Sequence, residues 1–198
     1  MNNNYLPSDY QTFIATSRYA RWLDDEGRRE TWGETVERYL ENIAKTWLKP
    51  VDLQEVREAI LSLEVMPSMR SMMTAGKAAD RDNTCMYNCS YLPVDDPKSF
   101  DEAMFILLCG TGVGFSVERQ FITKLPDVPT LFQSETCVVI KDSKEGWAKG
   151  LRQVLALLWA GEIPKWDVSK VRPAGARLKT FGGRASGPAP LIDLFNFA

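Results

Sequence analysis

Two stretches near the start of the chain carry apolar residues at the spacing of amphipathic helices. The first opens with the capping-box sequence Thr31-Trp-Gly-Glu34 and continues until Pro50. The second opens with Asp52-Leu-Gln-Glu55 and is closed by Pro67. The apolar positions are Trp32, Val36, Leu40, Ile43 and Trp47 in the first stretch and Leu53, Val56, Ile60 and Leu63 in the second. The pattern predicts two antiparallel helices with buried apolar faces, in an N-terminal helical region spanning residues 1–66.

Beyond residue 66 the chain alternates between strand and helix patterns. Residues 67–76 predict a loop, because their apolar residues follow neither the helical nor the strand spacing. Helices are predicted over residues 99–108 and 143–159, a glycine turn at 110–114, and strands over 85–93, 115–119, 137–140 and 166–171. Alternating strands and helices are typical of an α/β fold. We therefore predict an α/β region over residues 67–198.

The composition is that of an ordinary globular protein, with 44% apolar and 25% charged residues. A formal net charge of -2 gives no general attraction to nucleic acid or anionic membranes, so an anion site must come from a local basic cluster. The start of the chain lacks the pattern of a leader peptide, and the longest apolar run, residues 103–109, is too short to cross a bilayer. We expect a cytoplasmic protein with no membrane and no direct nucleic-acid partner. Because the chain has no histidine, His-dependent triads and His-bearing zinc sites are excluded within it.

The four cysteines lack the dense spacing of a disulfide scaffold, which suits a reducing compartment. Cys85 and Cys89 have the spacing of half a zinc site, but the other half is missing and we predict no metal site. Cys109 and Cys137 adjoin apolar runs and are predicted to be buried. Cys89 lies among polar residues and is a candidate redox thiol, with an inert core cysteine as the alternative.

The segment Gly110-Thr-Gly-Val-Gly114 could bring backbone N–H groups close to a phosphate. It lacks the Gly-Lys-Ser/Thr of a P-loop. It also comes before a strand, whereas the glycine fingerprint of dinucleotide-binding proteins comes after a strand. It is superficially similar to a kinase glycine-rich loop, but Lys124, beside Pro126, is poorly placed for the strand lysine that such a loop requires. A purely structural helix-to-strand turn is an equally good interpretation.

A glycine-rich basic segment lies near the C-terminal end. Between Lys165 and Arg184 one acid, Asp167, accompanies six basic residues: Lys165, Lys170, Arg172, Arg177, Lys179 and Arg184. Glycines add backbone donors and conformational freedom, as in loops that close on nucleotides. The segment therefore predicts binding of a phosphate-bearing ligand, and a solvated surface loop is the alternative.

Taken together, five linked motifs resemble those of ribonucleotide reductases in order and spacing. They are Pro67-Ser68, Tyr87-Asn-Cys-Ser-Tyr-Leu-Pro93, Gly110-Thr-Gly-Val-Gly-Phe-Ser-Val-Glu-Arg119, Asp142-Ser-Lys-Glu-Gly-Trp147, and Arg172-Pro-Ala-Gly through Phe181-Gly-Gly-Arg-Ala-Ser-Gly-Pro188. Within that family the chain most resembles the adenosylcobalamin-dependent (class II), monomeric ribonucleoside-triphosphate reductases, from about Tyr10 onward.

The resemblance implies a ten-stranded α/β barrel in which a thiyl radical removes the ribose 3′-hydrogen and a cysteine pair reduces the 2′-carbon. It implies adenosylcobalamin as cofactor, a ribonucleoside triphosphate as substrate, a deoxynucleotide as effector and a thioredoxin-like reductant as partner. Cys89 matches the first reducing cysteine, and Ser68, Asn88, Cys89 and Gly112 match positions that hold substrate. The effector or specificity loop is implied to include Arg172, Arg177, Lys179, Gly182, Gly183, Arg184 and Ser186.

The last residues predict the first turn of an apolar helix over Leu191–Phe195, and the sequence stops at Ala198. We expect the chain to be the front part of a reductase. The radical-bearing cysteine, the second reducing cysteine and most cobalamin contacts are then expected in a remaining C-terminal segment, in cis or in trans, without which no turnover is expected. The alternatives are a non-catalytic nucleotide-binding or regulatory module, an inactive remnant, and a kinase-like phosphotransferase.

Overall fold

The computed structural model describes residues 6–178 and 183–198, which form two compact units. The first unit ends at Tyr87, and the second begins at Asn88. The sequence pattern changes at residue 66, and that domain boundary stays a prediction. In the described part of the chain, no helix is both long and apolar enough to cross a membrane.

The first unit is mainly helical. It contains α1 (Asp9–Ile14), a π-helical turn (Ala15–Tyr19), a hairpin of β1 (Trp22–Leu23) and β2 (Arg28–Arg29), α2 (Trp32–Asn42), a 3₁₀ turn (Ala44–Thr46), α3 (Pro50–Leu61), α4 (Met69–Thr74), α5 (Lys77–Arg81) and a second 3₁₀ turn (Asn83–Met86). The predicted capping box of α2 is present: Thr31 Oγ1 accepts from the Glu34 N–H, and the Glu34 carboxylate accepts from the Thr31 N–H. Helix α3 begins at Pro50, a residue that is favourable at the first helical position because it needs no N–H partner there.

The predicted apolar faces of α2 and α3 form the core of the first unit. Its buried members include Trp32, Val36, Leu40, Ile60, Leu61 and Met72. The prediction for Trp47 was wrong, because α2 ends at Asn42 and the 3₁₀ turn changes the direction in which later side chains point. Trp47 is 83% exposed.

The loop predicted over residues 67–76 was also wrong, because residues Met69–Thr74 form α4. Met72 and Thr74 of this helix are buried. Its end is completed by a residue distant in sequence: Arg38 Nη1 donates to the carbonyl oxygens of Met72 at 2.7 Å and Ala75 at 3.0 Å. Such a partner satisfies carbonyls that have none within the helix, and it leaves no local sequence signal.

A buried ion pair between Glu30 and Arg38 joins several segments of the first unit. Arg38 Nε lies 2.7 Å from Glu30 Oε1, and Nη2 lies 2.9 Å from Oε2. Glu30 also accepts from the Arg21 N–H at 2.9 Å and from Thr35 Oγ1 at 3.1 Å. Burial raises the pKa of the Glu30 carboxyl, but the hydrogen bonds from Arg38, Arg21 and Thr35 outweigh it and hold the pKa below its ordinary value.

The second unit mixes helices and strands as predicted. It contains β3 (Cys89–Pro93), α6 (Lys98–Leu108), β4 (Gly112–Ser116), α7 (Arg119–Ile122), β5 (Phe132–Val139), α8 (Lys144–Trp159), β6 (Glu162–Asp167) and α9 (Ala189–Phe197). Strands β3 and β4 pair in parallel, as do β5 and β6, and a helix connects each pair. The core includes Val138, Ile140, Leu151, Val154, Leu191 and Phe195. The predicted helix at the C-terminal end is confirmed as α9.

Three of the strands begin earlier than the apolar pattern predicts. Strand β4 starts at Gly112, within the predicted glycine turn, because its backbone pairs with β3. Strand β5 includes the polar stretch 133–136, which has no apolar signal, and β6 covers Glu162–Asp167. Cys137 was wrongly predicted to be buried: Val138 and Ile140 are buried, so alternation along the strand leaves Cys137 exposed.

We predict that Glu30→Gln lowers the free energy of unfolding by about 3 kcal/mol, because it leaves Arg38 without its buried countercharge. Urea unfolding followed by tryptophan fluorescence measures this change. Glu26→Gln is the matched control, since Glu26 pairs with Arg28 at the surface and its loss should cost less than about 1 kcal/mol. Equal effects of the two substitutions on the free energy of unfolding would contradict the assignment of Glu30 and Arg38 as a buried, stabilising ion pair.

The same pair predicts how stability depends on pH. Because the pKa of Glu30 is lowered in the folded state, its contribution is present above the unfolded-state value of about 4.3 and is lost as pH falls through the lower folded-state pKa. Between about pH 6 and pH 3, the wild type should therefore lose more unfolding free energy than Glu30→Gln.

Candidate functional site

The structure places Asn88, Cys89 and Gly112 together. Cys89 is the first residue of β3 and pairs in register with Gly112, the first residue of β4. The Gly112 N–H donates to the Asn88 carbonyl oxygen at 2.9 Å, and Ser90 Oγ donates to the Gly112 carbonyl oxygen at 3.1 Å. Three of the four predicted substrate-binding residues therefore lie at one end of a two-stranded parallel sheet.

One face of this sheet combines an exposed thiol with two glycines. Residues in register on neighbouring strands share a face, so Cys89 and Tyr91 lie on the same face as Gly112 and Gly114. Cys89 is exposed, and Tyr91 is 64% exposed.

The fold itself does not require glycine at these two positions. Neither Gly112 nor Gly114 has a positive φ, and an added Cβ would lie 3.5 Å from the Asn88 oxygen and 3.6 Å from the Ser90 oxygen, which are ordinary contacts. Glycine inside a strand weakens it and often marks close approach by a ligand or another backbone. The two glycines thus leave the main chain on this face open to close approach by a ligand or another backbone.

Gly110 has a different role from Gly112. Helix α6 ends at Leu108, and Gly110, with φ of 85°, turns the chain into β4. The predicted order of helix, glycine turn and strand is confirmed, although the turn is shorter than predicted. Thr111 is buried beside this turn.

Ser68, the fourth predicted substrate residue, belongs to the first unit. It is exposed and lies immediately before α4, where its carbonyl oxygen accepts from the Met72 N–H at 3.0 Å. Its predicted contact with substrate stays a prediction.

The described parts of the predicted effector loop, residues 172–178 and 183–188, pair with each other as the two arms of a hairpin. The Gly175 N–H donates to the Ala185 oxygen at 2.8 Å, and the Ala185 N–H donates to the Ala176 oxygen at 2.7 Å. Arg177 and Arg184 face each other across an antiparallel bridge. Lys179 and Gly182 lie outside the described residues.

The basic residues of the segment differ in their surroundings. Arg172 Nε contacts both carboxylate oxygens of Asp142, at 3.0 and 2.8 Å, and so attaches the base of the loop to the segment before α8. Lys165 Nζ lies 2.6 Å from Glu135. Both acids come from other parts of the sequence, so the excess of positive charge is smaller than the segment alone suggests.

Arg177 and Arg184 are both exposed and lie opposite each other on the hairpin. Arg184 Nη1 also donates to the Gly175 oxygen at 2.9 Å. Like charges placed opposite each other on paired strands repel, and an anion between them would offset that repulsion. Gly183 adopts a φ of 87°, which favours glycine, and Ser186, three residues later, is exposed.

The structure also shows a lysine–cysteine contact that the sequence did not predict. Lys144 Nζ lies 3.1 Å from the Sγ of Cys109 and 4.8 Å from the centroid of the Phe105 ring. Cys109 is fully buried, as is Cys85, in agreement with the predicted burial of Cys109. The two partners are 35 residues apart, and no periodic or spacing signal links them.

Within residues 6–178 and 183–198, the structure shows no group of three or more His, Cys, Asp or Glu side chains that could hold a metal ion.

Comparisons with known proteins agree with the resemblance. A family model described as "B12-dependent ribonucleotide reductase, insertion domain" matches residues 123–197. An adenosylcobalamin-dependent ribonucleoside-triphosphate reductase of Lacticaseibacillus paracasei is 28% identical over 89% of this chain and 33% of its own length. Proteins with the same description from Euglena gracilis and Lactobacillus leichmannii are 29% and 27% identical, again over 89% of this chain, and match over 27% and 33% of their own lengths.

The fold is similar to that of a solved class II, B12-dependent ribonucleotide reductase. The two structures superpose with a TM-score of 0.75 at 24% sequence identity, over 93% of this chain and 36% of the other. The resemblance predicted from the sequence is thus confirmed, and the chain spans about a third of the length of the curated relatives it matches.

We predict that Gly112→Ala leaves the free energy of unfolding within about 1 kcal/mol of the wild type, because the added Cβ meets only ordinary contacts. It should nevertheless weaken binding of a ribonucleoside triphosphate by about tenfold or more, since the methyl group occupies space next to the backbone. Thermal unfolding and isothermal titration calorimetry measure the two effects.

Gly114→Ala serves as the matched control for folding, since its Cβ has similar surroundings. Unchanged nucleotide affinity in Gly112→Ala would contradict a substrate role for this residue.

Proposed function

We propose that this chain is the N-terminal part of an adenosylcobalamin-dependent ribonucleotide reductase, which converts ribonucleoside triphosphates to 2′-deoxyribonucleotides for DNA synthesis. The observation that carries the proposal is the pairing of Cys89 with Gly112 at the start of two parallel strands, in a chain similar to reductases of this type. An exposed thiol beside the two glycines of the neighbouring strand can reach a sugar that lies over those glycines.

The chemistry proposed for Cys89 is reduction of the ribose 2′-carbon. The C2′–OH bond breaks and a C2′–H bond forms while two thiols become one disulfide, and the hydroxyl leaves as water. The two thiols supply both electrons and both hydrogens. Cys85 and Cys109 are buried and Cys137 lies on the other sheet. We therefore propose that the second reducing cysteine and the radical-bearing cysteine come from the remaining reductase segment, in cis or in trans.

Substrate ribose and phosphate are proposed to contact Ser68, Asn88, Cys89 and Gly112. The Gly112 N–H is already bonded to the Asn88 oxygen, so Gly112 contributes close approach and leaves hydrogen bonding to its neighbours. The finer architecture that we propose is the ten-stranded barrel. A closed barrel would pair the outer edges of the β3–β4 and β5–β6 ribbons, which have no strand beside them in the described residues.

Adenosylcobalamin, when bound, supplies the radical chemistry in enzymes that use it. The groove between α2 and α3, lined by Leu40, Leu53 and Arg57 among others, has a volume of about 180 Å³, below the roughly 300 Å³ of pockets for drug-sized ligands, so it is too small for this cofactor. We propose that the cofactor contacts lie mostly in the remaining reductase segment, and we assign none of them to a residue of this chain.

The hairpin is proposed to bind a deoxynucleotide effector. Arg177 and Arg184 would hold its phosphates between them, and Arg172 would fix the base of the loop through Asp142. Lys179, Gly182, Gly183 and Ser186 complete the proposed loop. A thioredoxin-like protein is proposed to reduce the disulfide formed at Cys89, in a cytoplasm whose redox state permits that exchange.

A second candidate function is a nucleotide-binding regulatory module without chemistry. It is favoured by the hairpin, whose base is closed by bonds within this chain alone. Nucleotide binding with no turnover after the remaining reductase segment is supplied would support this alternative.

We predict that Cys89→Ser abolishes repeated formation of deoxynucleotides when the chain is combined with the remaining reductase segment, adenosylcobalamin and a dithiol reductant. A serine hydroxyl cannot form the disulfide, while nucleotide affinity should stay within about twofold because shape is retained. Product measured by chromatography tests this. Cys137→Ser, also an exposed strand cysteine, should retain turnover. Turnover by Cys89→Ser would refute the redox role.

We predict that Arg177→Gln and Arg184→Gln each weaken binding of deoxynucleoside triphosphates by about tenfold, the expected loss for one charge-assisted hydrogen bond. Calorimetry at fixed ionic strength measures the affinities. Lys165→Gln is the control, because Lys165 is paired with Glu135 and should leave binding unchanged. If both arginine variants bind as the wild type does, the hairpin is not the effector site.

A further inference from the structure

The contact between Cys109 and Lys144 brings together two nucleophilic side chains that the proposed reduction of ribose does not use. Lys144 Nζ lies 3.1 Å from Cys109 Sγ. This separation is within the roughly 3–3.5 Å at which two atoms are positioned to react. Because nitrogen and sulfur both donate electron pairs, a bond between them requires that one of the two atoms is oxidised first.

Both residues are held in place by the helices to which they belong. Cys109 is the C-terminal cap of α6, and its N–H donates to the Phe105 oxygen at 3.0 Å. Lys144 is the first residue of α8. The same two helices are also joined nearer the beginning of α6, where Arg152 Nη2 lies 2.6 Å from Asp101 Oδ2. The thiol and the amine therefore face each other from two helix ends that are attached to one another.

The surroundings of the amine favour both its position and the reactive form of the thiol. The Lys144 ammonium lies 4.8 Å from the centroid of the Phe105 ring, which attracts a cation over its face. It also lies at the C-terminal end of α6, where the helix dipole favours positive charge. Peroxides oxidise the thiolate form of cysteine, and a neighbouring ammonium stabilises that form.

Burial restricts the partners that an oxidised Cys109 can meet. Cys109 is 0% exposed, whereas Lys144 is half-buried. Hydrogen peroxide is uncharged and close to water in size, so it can reach a sulfur atom from which a tripeptide thiol such as glutathione is excluded. A sulfenic acid on Cys109 is thus shielded from thiols in solution while it stays in contact with the Lys144 amine. The exposed Cys89 and Cys137 lack this shielding.

We propose that Cys109 and Lys144 form a reversible covalent cross-link when the protein meets hydrogen peroxide. In the first step the thiolate attacks one peroxide oxygen, the O–O bond breaks, and the sulfur becomes a sulfenic acid. The released hydroxide takes a proton from the Lys144 ammonium and becomes water. In the second step the neutral amine attacks the sulfur, the S–O bond breaks, and the hydroxyl leaves as a second water with another proton of the amine.

The product is a sulfenamide, in which Cys109 Sγ is bonded to Lys144 Nζ. The sulfur has lost two electrons, and the peroxide has gained them. A dithiol reverses the reaction, because its two thiols become a disulfide while the thiol and the amine are restored. The pair would record exposure to peroxide as a bond between α6 and α8. The inference is independent of the proposed nucleotide sites, since no nucleotide takes part.

Mass spectrometry of the 198-residue chain after treatment with hydrogen peroxide tests the proposal. A Cys89→Ser/Cys137→Ser background removes the two exposed thiols, so that disulfides between them do not obscure the result. After digestion, the peptides that contain Cys109 and Lys144 should be recovered as one linked pair, lighter by two hydrogen atoms than their sum. Dithiothreitol should separate them.

Two variants distinguish the role of the amine from that of the positive charge. Lys144→Arg keeps a cation but has no neutral amine, so it should lower the yield of the linked pair by at least about tenfold. In this variant, dimedone added together with urea should still label the sulfenic acid on Cys109. Lys149→Arg changes an exposed lysine of the same helix and should retain the link.

Recovery of Cys109 from the folded, peroxide-treated chain only as an unlinked thiol or sulfinic acid would overturn the inference. An equal yield of the linked pair in Lys144→Arg would also overturn it. The same holds if a chain unfolded in urea before the treatment gives as much of the linked pair, because the bond would then not depend on the folded contact.

Discussion

Parallel strand pairing is the constraint on which the second unit depends. Two parallel neighbours cannot be joined by a tight turn, so the chain must return along the sheet through a crossover. Helices α6 and α8 make these returns. The geometry brings the first residues of β3 and β4 together at the same end, and so places Cys89 beside Gly112 although 22 residues separate them.

The first unit is organised by a different constraint, the requirement that a buried charge be fully paired. Glu30 is surrounded by an arginine side chain, a backbone N–H and a hydroxyl, and Arg38 extends from there to carbonyl oxygens in the π-helical turn and at the end of α4. The partners in this group come from four segments, which are the chain around Arg21, helix α2, the π-helical turn and the end of α4. The short helix α4 therefore depends on α2 for its termination, and its presence follows from tertiary structure more than from local propensity.

The sequence predicted those helices and strands whose capping residues and apolar spacing lie within the element itself. Capping signals and apolar spacing located α2 and α8, since these helices carry their own start signals and apolar faces. Apolar spacing also located α3, but the start predicted at Asp52 was wrong, because the helix begins at Pro50 and the side chain of Lys49 before it makes no capping bond. Strand β5 was only partly predicted because residues 133–136 are polar, and Cys137 was misplaced because one apolar run does not reveal which side of the strand is buried.

The candidate site shows the same division. The residues alone indicated Cys89 as a candidate thiol, the segment around Gly112 as a possible phosphate contact and the basic loop as a candidate phosphate site, and the family resemblance supplied their specific roles. The register of β3 with β4 supplies a physical reason for the proximity of Cys89 and Gly112. Lys144 contacts Cys109 and Arg172 contacts Asp142, and in each case the partners are about 30 or more positions apart in the sequence. The spacing of apolar residues gives no signal for contacts between residues so far apart.

The way in which the hairpin is closed bears on how such a loop can diversify. Its base is held by main-chain hydrogen bonds between Gly175, Ala176 and Ala185, together with the close packing of Gly187 against Ala174. Only Gly187 among these residues is restricted by lack of space, because a Cβ there would lie 2.8 Å from the Ala174 nitrogen. Gly175 and Gly187 also adopt φ values of 83° and 77°, which favour glycine, so the frame restricts these two positions and is held at Ala176 and Ala185 by main-chain bonds alone. Descendants of this sequence can exchange ligand-facing residues one at a time, and so acquire new ligand preferences, while the frame that displays them is inherited unchanged.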